Sequence, residues 1–201
     1  MVDAQTHFEQ GQACQKQNKL NEAIAEFKEA IQLNPFYTEA HREYMNLMIA
    51  QGKKTKILAE YQATIQQNPS SEVYHYLLGR ILDDTDDKFR EFKKAVEINP
   101  NYPWGHLGLG WIYRSKGMLD EAMHEYKEAI KIKPDFAEAH NNLGNAYRKQ
   151  GKLDEGIVAY KKAISLNPKY AKAHNNLGNA YRKQGKLLRF LKHRLLLIFE
   201  V

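Results

Sequence analysis

Cysteine is nearly absent from this sequence: Cys14 stands alone among 201 residues. No internal disulfide can form, which suits a reducing compartment. Long apolar runs are missing too, and the longest fall far short of the roughly 20 residues a membrane-crossing helix needs. The opening Met1-Val2-Asp3-Ala4-Gln5 has neither the basic start nor the apolar stretch of a secretory signal. With nothing directing it elsewhere, the chain reads as cytoplasmic. No phosphate-cradling glycine loop, nucleophile elbow or metalloprotease histidine pair occurs. The carboxylates sit at the spacing of helix-face ion pairs, as Glu26 and Glu29 do around Lys28. Catalysis is therefore the poorer reading, and no catalytic residue, metal site or cofactor is assigned.

Charge is present but unevenly spread. Apolar residues are 43% and charged residues 27% of the chain, with a net charge of +6, a balance that suits a folded, surface-rich protein. Residues 1–136 carry 17 Lys and Arg against 20 Asp and Glu, whereas residues 137–201 carry 13 against 4. A basic end on a mildly acidic body favours an acidic partner or weak contact with nucleic acid. Solvated, lysine-rich helix faces would produce the same imbalance.

Proline is scarce and periodic. Five of the six prolines, Pro35, Pro69, Pro100, Pro134 and Pro168, are spaced 34, 31, 34 and 34 residues apart. Each follows a helical pattern, which proline closes at the residue before it. Gly52, Gly117, Gly151 and Gly185 end other helical stretches, where a left-handed cap residue is wanted. Two helices per unit lie between these marks; in the fifth unit they run roughly over 137–150 and 154–167. Asp120-Glu121 and Asp154-Glu155 place negative charge at helix starts, as the dipole prefers. Apolar residues keep register: Ala23, Ala122 and Gly156; then Phe27, Tyr61, Phe92, Tyr126 and Tyr160; then Ala30, Ala95, Ala129 and Ala163. Small residues let paired helices approach, and the aromatic fills the space beside them.

Leu109-Gly110 with Tyr113, Leu143-Gly144 with Tyr147 and Leu177-Gly178 with Tyr181 complete the pattern. The chain resembles the tetratricopeptide repeat family over about residues 4–187. The units span 4–37, 38–71, 72–102, 103–136 and 137–170, followed by the first helix of a sixth over 171–187. The resemblance implies an all-α, right-handed superhelical solenoid of antiparallel helix pairs. The first two units match weakly, and the third is three residues short, a loss expected at the turn Asp83–Asp87. Residues 188–201 leave the pattern, reading either as a capping helix or as a truncated or altered end. The run Leu195–Phe199 has no polar face and offers a route to self-association.

Six histidines, His7, His41, His75, His106, His140 and His174, share one place in successive units. Equivalent points on packed helices sit about 8–10 Å apart, too far to share a metal ion, so the column reads as packing. The aspartate-rich turn lacks the alternating ligands, glycine and glutamate of a calcium loop. Cys14 takes an aromatic's place and is expected to be a small buried hydrophobe.

The resemblance implies that the first helix of each unit lines a concave face. Candidate partner-binding residues there are Val73, Tyr76, Arg80, Trp104, Leu107, Trp111 and Arg114, then Asn142, Asn145, Arg148, Lys149, Asn176 and Asn179. Tyr76, Trp104 and Trp111 facing solvent would anchor a partner; the alternative is that the tryptophans belong to packing between units. The column of Trp111 holds Asn46, Asn145 and Asn179 elsewhere, which argues for exposure. Asn142 and Asn176 are similar to the asparagine ladder in the repeat region of O-linked N-acetylglucosamine transferases, which grips extended peptide. The clamp that related repeats use for chaperone carboxyl termini is not matched, since Arg42, Asn46, Leu77, Trp104 and Gly108 stand at its places. The reading favoured is a protein interaction scaffold that binds a peptide or partner protein, acidic in character. The alternatives are a nucleic-acid-binding helical repeat, the less favoured, or a substrate-recruiting fragment of a larger enzyme.

Overall fold

The computed structural model describes residues 2–185. Among these residues there are eleven α-helices and no strand. They are α1 (Ala4–Lys16), α2 (Leu20–Leu33), α3 (Thr38–Ala50), α4 (Lys54–Gln67), α5 (Glu72–Ile81), α6 (Thr85–Ile98), α7 (Pro103–Ser115), α8 (Leu119–Ile132), α9 (Ala137–Lys149), α10 (Leu153–Leu166) and α11 (Ala171–Lys183). Two compact bodies divide between Ile98 and Asn99, the first built of α1–α6 and the second of α7–α11. The tail reading for 188–201 lies outside the described residues.

The repeat has a simple arithmetic. Odd-numbered helices other than α5 have 13 residues and even-numbered ones have 14. Helix α5 has only 10. The three-residue deficit of the third unit therefore shortens the helix and leaves the following turn its ordinary length, contrary to the expectation from sequence. The aspartates of that turn cap the helix that follows. Asp84 Oδ1 accepts the backbone N–H groups of Asp86 and Asp87, both at 2.9 Å. These are donors that the first turn of α6 would otherwise leave unpaired.

Within a hairpin the turn is set by a left-handed residue. Gly52, Gly117, Gly151 and Gly185 have φ of 74°, 80°, 85° and 70°, and Asn18 substitutes with φ 59°. At Gly117 the next residue's N–H, that of Met118, reaches back to the Tyr113 carbonyl at 2.9 Å, closing the helix in a Schellman arrangement.

Close approach of the two helices depends on a second glycine column. A Cβ on Gly11, Gly79, Gly110 or Gly144 would lie 2.6, 2.7, 2.5 or 2.6 Å from the ring of Phe27, Phe92, Tyr126 or Tyr160. Those four rings are buried, so each hairpin locks one aromatic over one bare backbone patch. In the second unit Met45 stands where the glycine would be, and the backbones of α3 and α4 approach each other least of any hairpin.

The histidine column fastens the turn between units. Nε2 of His41, His75, His106, His140 and His174 lies 2.9, 3.0, 2.9, 3.1 and 2.8 Å from the carbonyl oxygen of the proline six residues earlier. Proline closes one helix and frees its own carbonyl; histidine, one turn into the next helix, donates to it. The other ring nitrogen turns to the partner helix, meeting Glu26, Glu91 and Glu125 from His7, His75 and His106 at 2.7, 2.6 and 2.7 Å. Cys14 differs from expectation: it is half-buried, with its thiol 4.0 Å from the Glu22 carboxylate.

Candidate functional site

In the second body, α7 and α11 each lie beside α9, so the three form one wall. Their sequences fix what the wall displays. The helices bury Ile112, Ala146 and Ala180 on the side that meets α8 and α10. Residues one, two, five and eight places after each histidine are then left toward the opposite side. For α9 these are Asn141, Asn142, Asn145 and Arg148; for α11 they are Asn175, Asn176, Asn179 and Arg182.

The wall encloses a concave site of about 400 Å³, bordered by Trp111, Arg114, Asn142, Asn145 and Asn176 among others. Trp111 is 39% exposed. Adjacent helices are joined across the floor, where Asn176 Nδ2 donates to Asn141 Oδ1 at 2.9 Å. That bond leaves the Asn141 side chain buried, while Asn142, Asn145 and Asn176 stay half-exposed and Asn179 exposed. Asn145 is positioned from behind, because its Oδ1 accepts from the Tyr160 hydroxyl at 2.9 Å.

Arginines occupy the last turn of each wall helix: Arg114, Arg148 and Arg182, with Lys149 and Lys183 following the last two. The helix dipole favours cations there. Tyrosines from the partner helices lie against two of them. Burial pushes the Tyr126 phenol up to about 12, and the Arg114 guanidinium beside it acts in the opposite sense. Burial also raises the Tyr160 phenol, with Arg148 opposing. Nε of Arg114 and of Arg148 is buried without a hydrogen-bond partner.

Several residues expected on the concave face are elsewhere. Trp104 is 6% exposed: it fills the seam beside the turn before α9, edge-on to Phe136 at 4.3 Å between ring centroids. Lys133 covers its face at 5.5 Å. Leu107 is buried in the same body. In the first body Val73 is buried and Tyr76 is only 2% exposed, its ring 5.8 Å from that of Phe92. Arg80 is committed locally, donating to the Tyr76 hydroxyl and to Asn46 Oδ1, both at 3.3 Å. An apolar side chain at these positions folds into the crevice between neighbouring helices, which periodicity alone cannot distinguish from solvent. Glu138, Tyr170 and Lys172 line the site without having been anticipated. Glu138 and Lys172 share the place two before the histidine; Tyr170 caps α11, where each inter-unit turn but one ends in an aromatic.

Models of the tetratricopeptide repeat match residues 4–44 and 91–124, and a model of the same repeat matches 110–151 and 144–185. The chain belongs to the tetratricopeptide repeat family. No curated protein matches it. Among solved structures, a thermophilic tetratricopeptide protein of Thermus thermophilus is 22% identical, with 88% of this chain aligned to 98% of that one and a TM-score of 0.66. The APC/C hetero-tetramer Cut9–Hcn1 gives 20% identity, 97% of this chain, 40% of that chain and a TM-score of 0.73. YrrB, described as having an unusual peptide-binding site, gives 21% identity, coverages of 86% and 90%, and a TM-score of 0.53. At such identities the likeness establishes the fold. This tetratricopeptide array has, among its described residues, no group of His, Cys, Asp or Glu placed to hold a metal ion. No described helix is long and apolar enough to cross a membrane. Family and fold together support a protein–protein interaction scaffold.

Proposed function

We propose that the second body holds an extended segment of another polypeptide against the α7–α9–α11 wall. The observation that carries this reading is the half-exposed Trp111 beside the asparagines Asn142, Asn145 and Asn176 in one concavity. A primary amide both donates and accepts, so it pairs with a peptide backbone whatever the guest's side chains. A partly exposed tryptophan supplies apolar contact area with few rotamers to freeze, which is why tryptophan recurs at interface hot spots. YrrB is described as binding peptide, and the same class of ligand suits this wall.

Selection of binders from a displayed library of random peptides tests it. Selected peptides are expected to lose at least about tenfold in affinity on Trp111→Ala, and on Asn142→Ala with Asn176→Ala, by analogy with anchor residues worth about 2 kcal/mol or more. Equal binding by wild type and both variants would place the guest elsewhere and overturn the reading.

A further inference from the structure

Resting on that reading, we propose that the guest of this wall is an acidic segment in the polyproline II conformation, with a carboxylate at every third residue. Arg114, Arg148 and Arg182 recur at 34-residue intervals, one in the last turn of each wall helix. The Asn176–Asn141 hydrogen bond of 2.9 Å joins α9 and α11 directly. Helix α9 also lies beside α7, and neighbouring packed helices stand about 8–10 Å apart. That is the rung spacing assumed in this proposal, with Arg114 bordering the concavity and Arg148 and Arg182 continuing the row beyond it.

That spacing discriminates among guests. Polyproline II has three residues per turn and a rise of about 3.1 Å, so every third side chain returns to the same side after about 9.3 Å. A β-strand returns a side chain to one face every second residue, about 6.8 Å, and slips out of step by the second rung. An α-helix returns at about 10.5 Å over seven residues, but its backbone is internally bonded and about 10–12 Å across with side chains. It would leave the asparagines nothing to pair with. The polyproline II backbone has no internal hydrogen bonds, so Asn142, Asn145 and Asn176 can serve its carbonyls and free N–H groups. Nucleic acid is disfavoured because stacking platforms present successive aromatic faces, whereas this concavity is bordered by five asparagines and by only two aromatics, Trp111 and Tyr170.

The choice of arginine is coupled to the fold. In the units that carry Arg114 and Arg148, the buried aromatic of the second helix is a tyrosine, Tyr126 or Tyr160. The unit whose aromatic is Phe27 has Gln15 in the arginine's place, and in the unit of Phe92 the helix α5 ends at Ile81, before that place is reached. The exception, Tyr61, gives its hydroxyl to His41 Nδ1 at 2.7 Å.

The test uses the full chain and dye-labelled synthetic peptides in fluorescence anisotropy. One peptide repeats Glu-Pro-Pro; a second has the same composition with its glutamates clustered; a third repeats Gln-Pro-Pro; a fourth probe is an oligothymidine. The Glu-Pro-Pro repeat is expected to bind at least about tenfold tighter than the clustered peptide, a difference of about 1.4 kcal/mol, and to weaken as salt rises. Arg114→Gln with Arg148→Gln and Arg182→Gln should abolish the preference. Arg182→Gln alone, at an exposed position that leaves the core intact, should lower affinity about threefold, the effect of one exposed ion pair. Equal binding of the repeated and clustered peptides overturns the spacing, and tighter binding of the oligothymidine overturns the guest. If the Gln-Pro-Pro repeat binds as well as the acidic one, and does so through Asn142 and Asn176, the arginine ladder is refuted while the peptide groove stands. If no peptide binds, including those selected by display, both fall.

Discussion

At the residue scale, one histidine column adopts two electrostatic states under the same backbone clamp. Burial lowers the His41 pKa to about 4, although the Pro35 carbonyl acts in the opposite sense. Its Nδ1 faces the Tyr61 hydroxyl at 2.7 Å, a group that can donate to a neutral ring. For His106 burial also acts to lower the pKa, but the Glu125 hydrogen bond, the Pro100 carbonyl and the charges of Glu125 and Glu128 outweigh it, and the pKa is raised. The consequences have opposite signs. His41 binds its proton less readily folded than unfolded, so stability is lost as pH falls from about 6.5 toward 4, by up to roughly 3 kcal/mol. His106 contributes stability that is present below its unfolded pKa and lost as pH rises through the folded one. Two-dimensional NMR of the histidine ring protons should therefore show His106 titrating above about 6.5 and His41 only near 4; titration of both together would refute this assignment. The pattern was half legible in sequence. The histidine column signalled packing, but the residue before the aromatic does not by itself decide which rings gain a carboxylate. That residue is Glu26, Glu60, Glu91 or Glu125 in four units and Ala159 in the fifth, yet Glu60 accepts from the Tyr44 hydroxyl at 3.3 Å and His41 meets the Tyr61 hydroxyl instead. His140, in that fifth unit, has its pKa lowered by burial.

The two tryptophans separate stability from binding. Trp104 is enclosed and Trp111 is open to solvent. Trp104→Ala should cost about 3–5 kcal/mol in urea unfolding, the range for a buried tryptophan. Trp111→Ala should cost less than about 1 kcal/mol and act on affinity instead. Asparagine in the column of Trp111 revealed its exposure; nothing comparable marked Trp104, because Glu138 and Lys172 in its own column suggest the surface. There a large ring reaches the crevice that a shorter polar chain does not fill.

At the scale of elements, the hairpin is defined by a glycine facing a ring. Gly110→Ala would put a Cβ 2.5 Å from the Tyr126 ring, and Tyr126 is fully buried. Overpacking of this kind costs about 1–3 kcal/mol, read as a lower urea midpoint with an unchanged slope. Gly117→Ala meets open space but must adopt a φ of 80°; it should cost about 1 kcal/mol through backbone strain alone. Circular dichroism of both variants should keep the helical content. Helix starts and ends were readable because proline, glycine and the left-handed cap punctuate them. The short α5 was not, since a missing helical turn and a missing loop leave the same gap in a sequence register.

At the scale of the molecule, stability of a repeat array is a sum of unit and neighbour terms. The hairpin of α3 and α4, with Met45 in place of glycine and His41 buried without a carboxylate, is the weakest unit by this account. Amide hydrogen exchange at pH 5 against pH 7 should show protection falling more in α3 and α4 than in α7 and α8 after correction for intrinsic exchange. The proposed binding function lies in the other body, where amides, an exposed tryptophan and a cationic edge share one wall. Composition located that cationic excess in residues 137–201, while the tyrosine backing of Arg114 and Arg148 emerges only when the helices are assembled.

Side-chain amide and indole resonances give the most direct reading of the central claim, that the α7–α9–α11 wall receives an extended polypeptide. On addition of a display-selected peptide, the Asn142, Asn145 and Asn176 amides and the Trp111 indole N–H should shift together and saturate with one affinity. Shifts confined to α8 and α10, with those four signals unmoved, would contradict it.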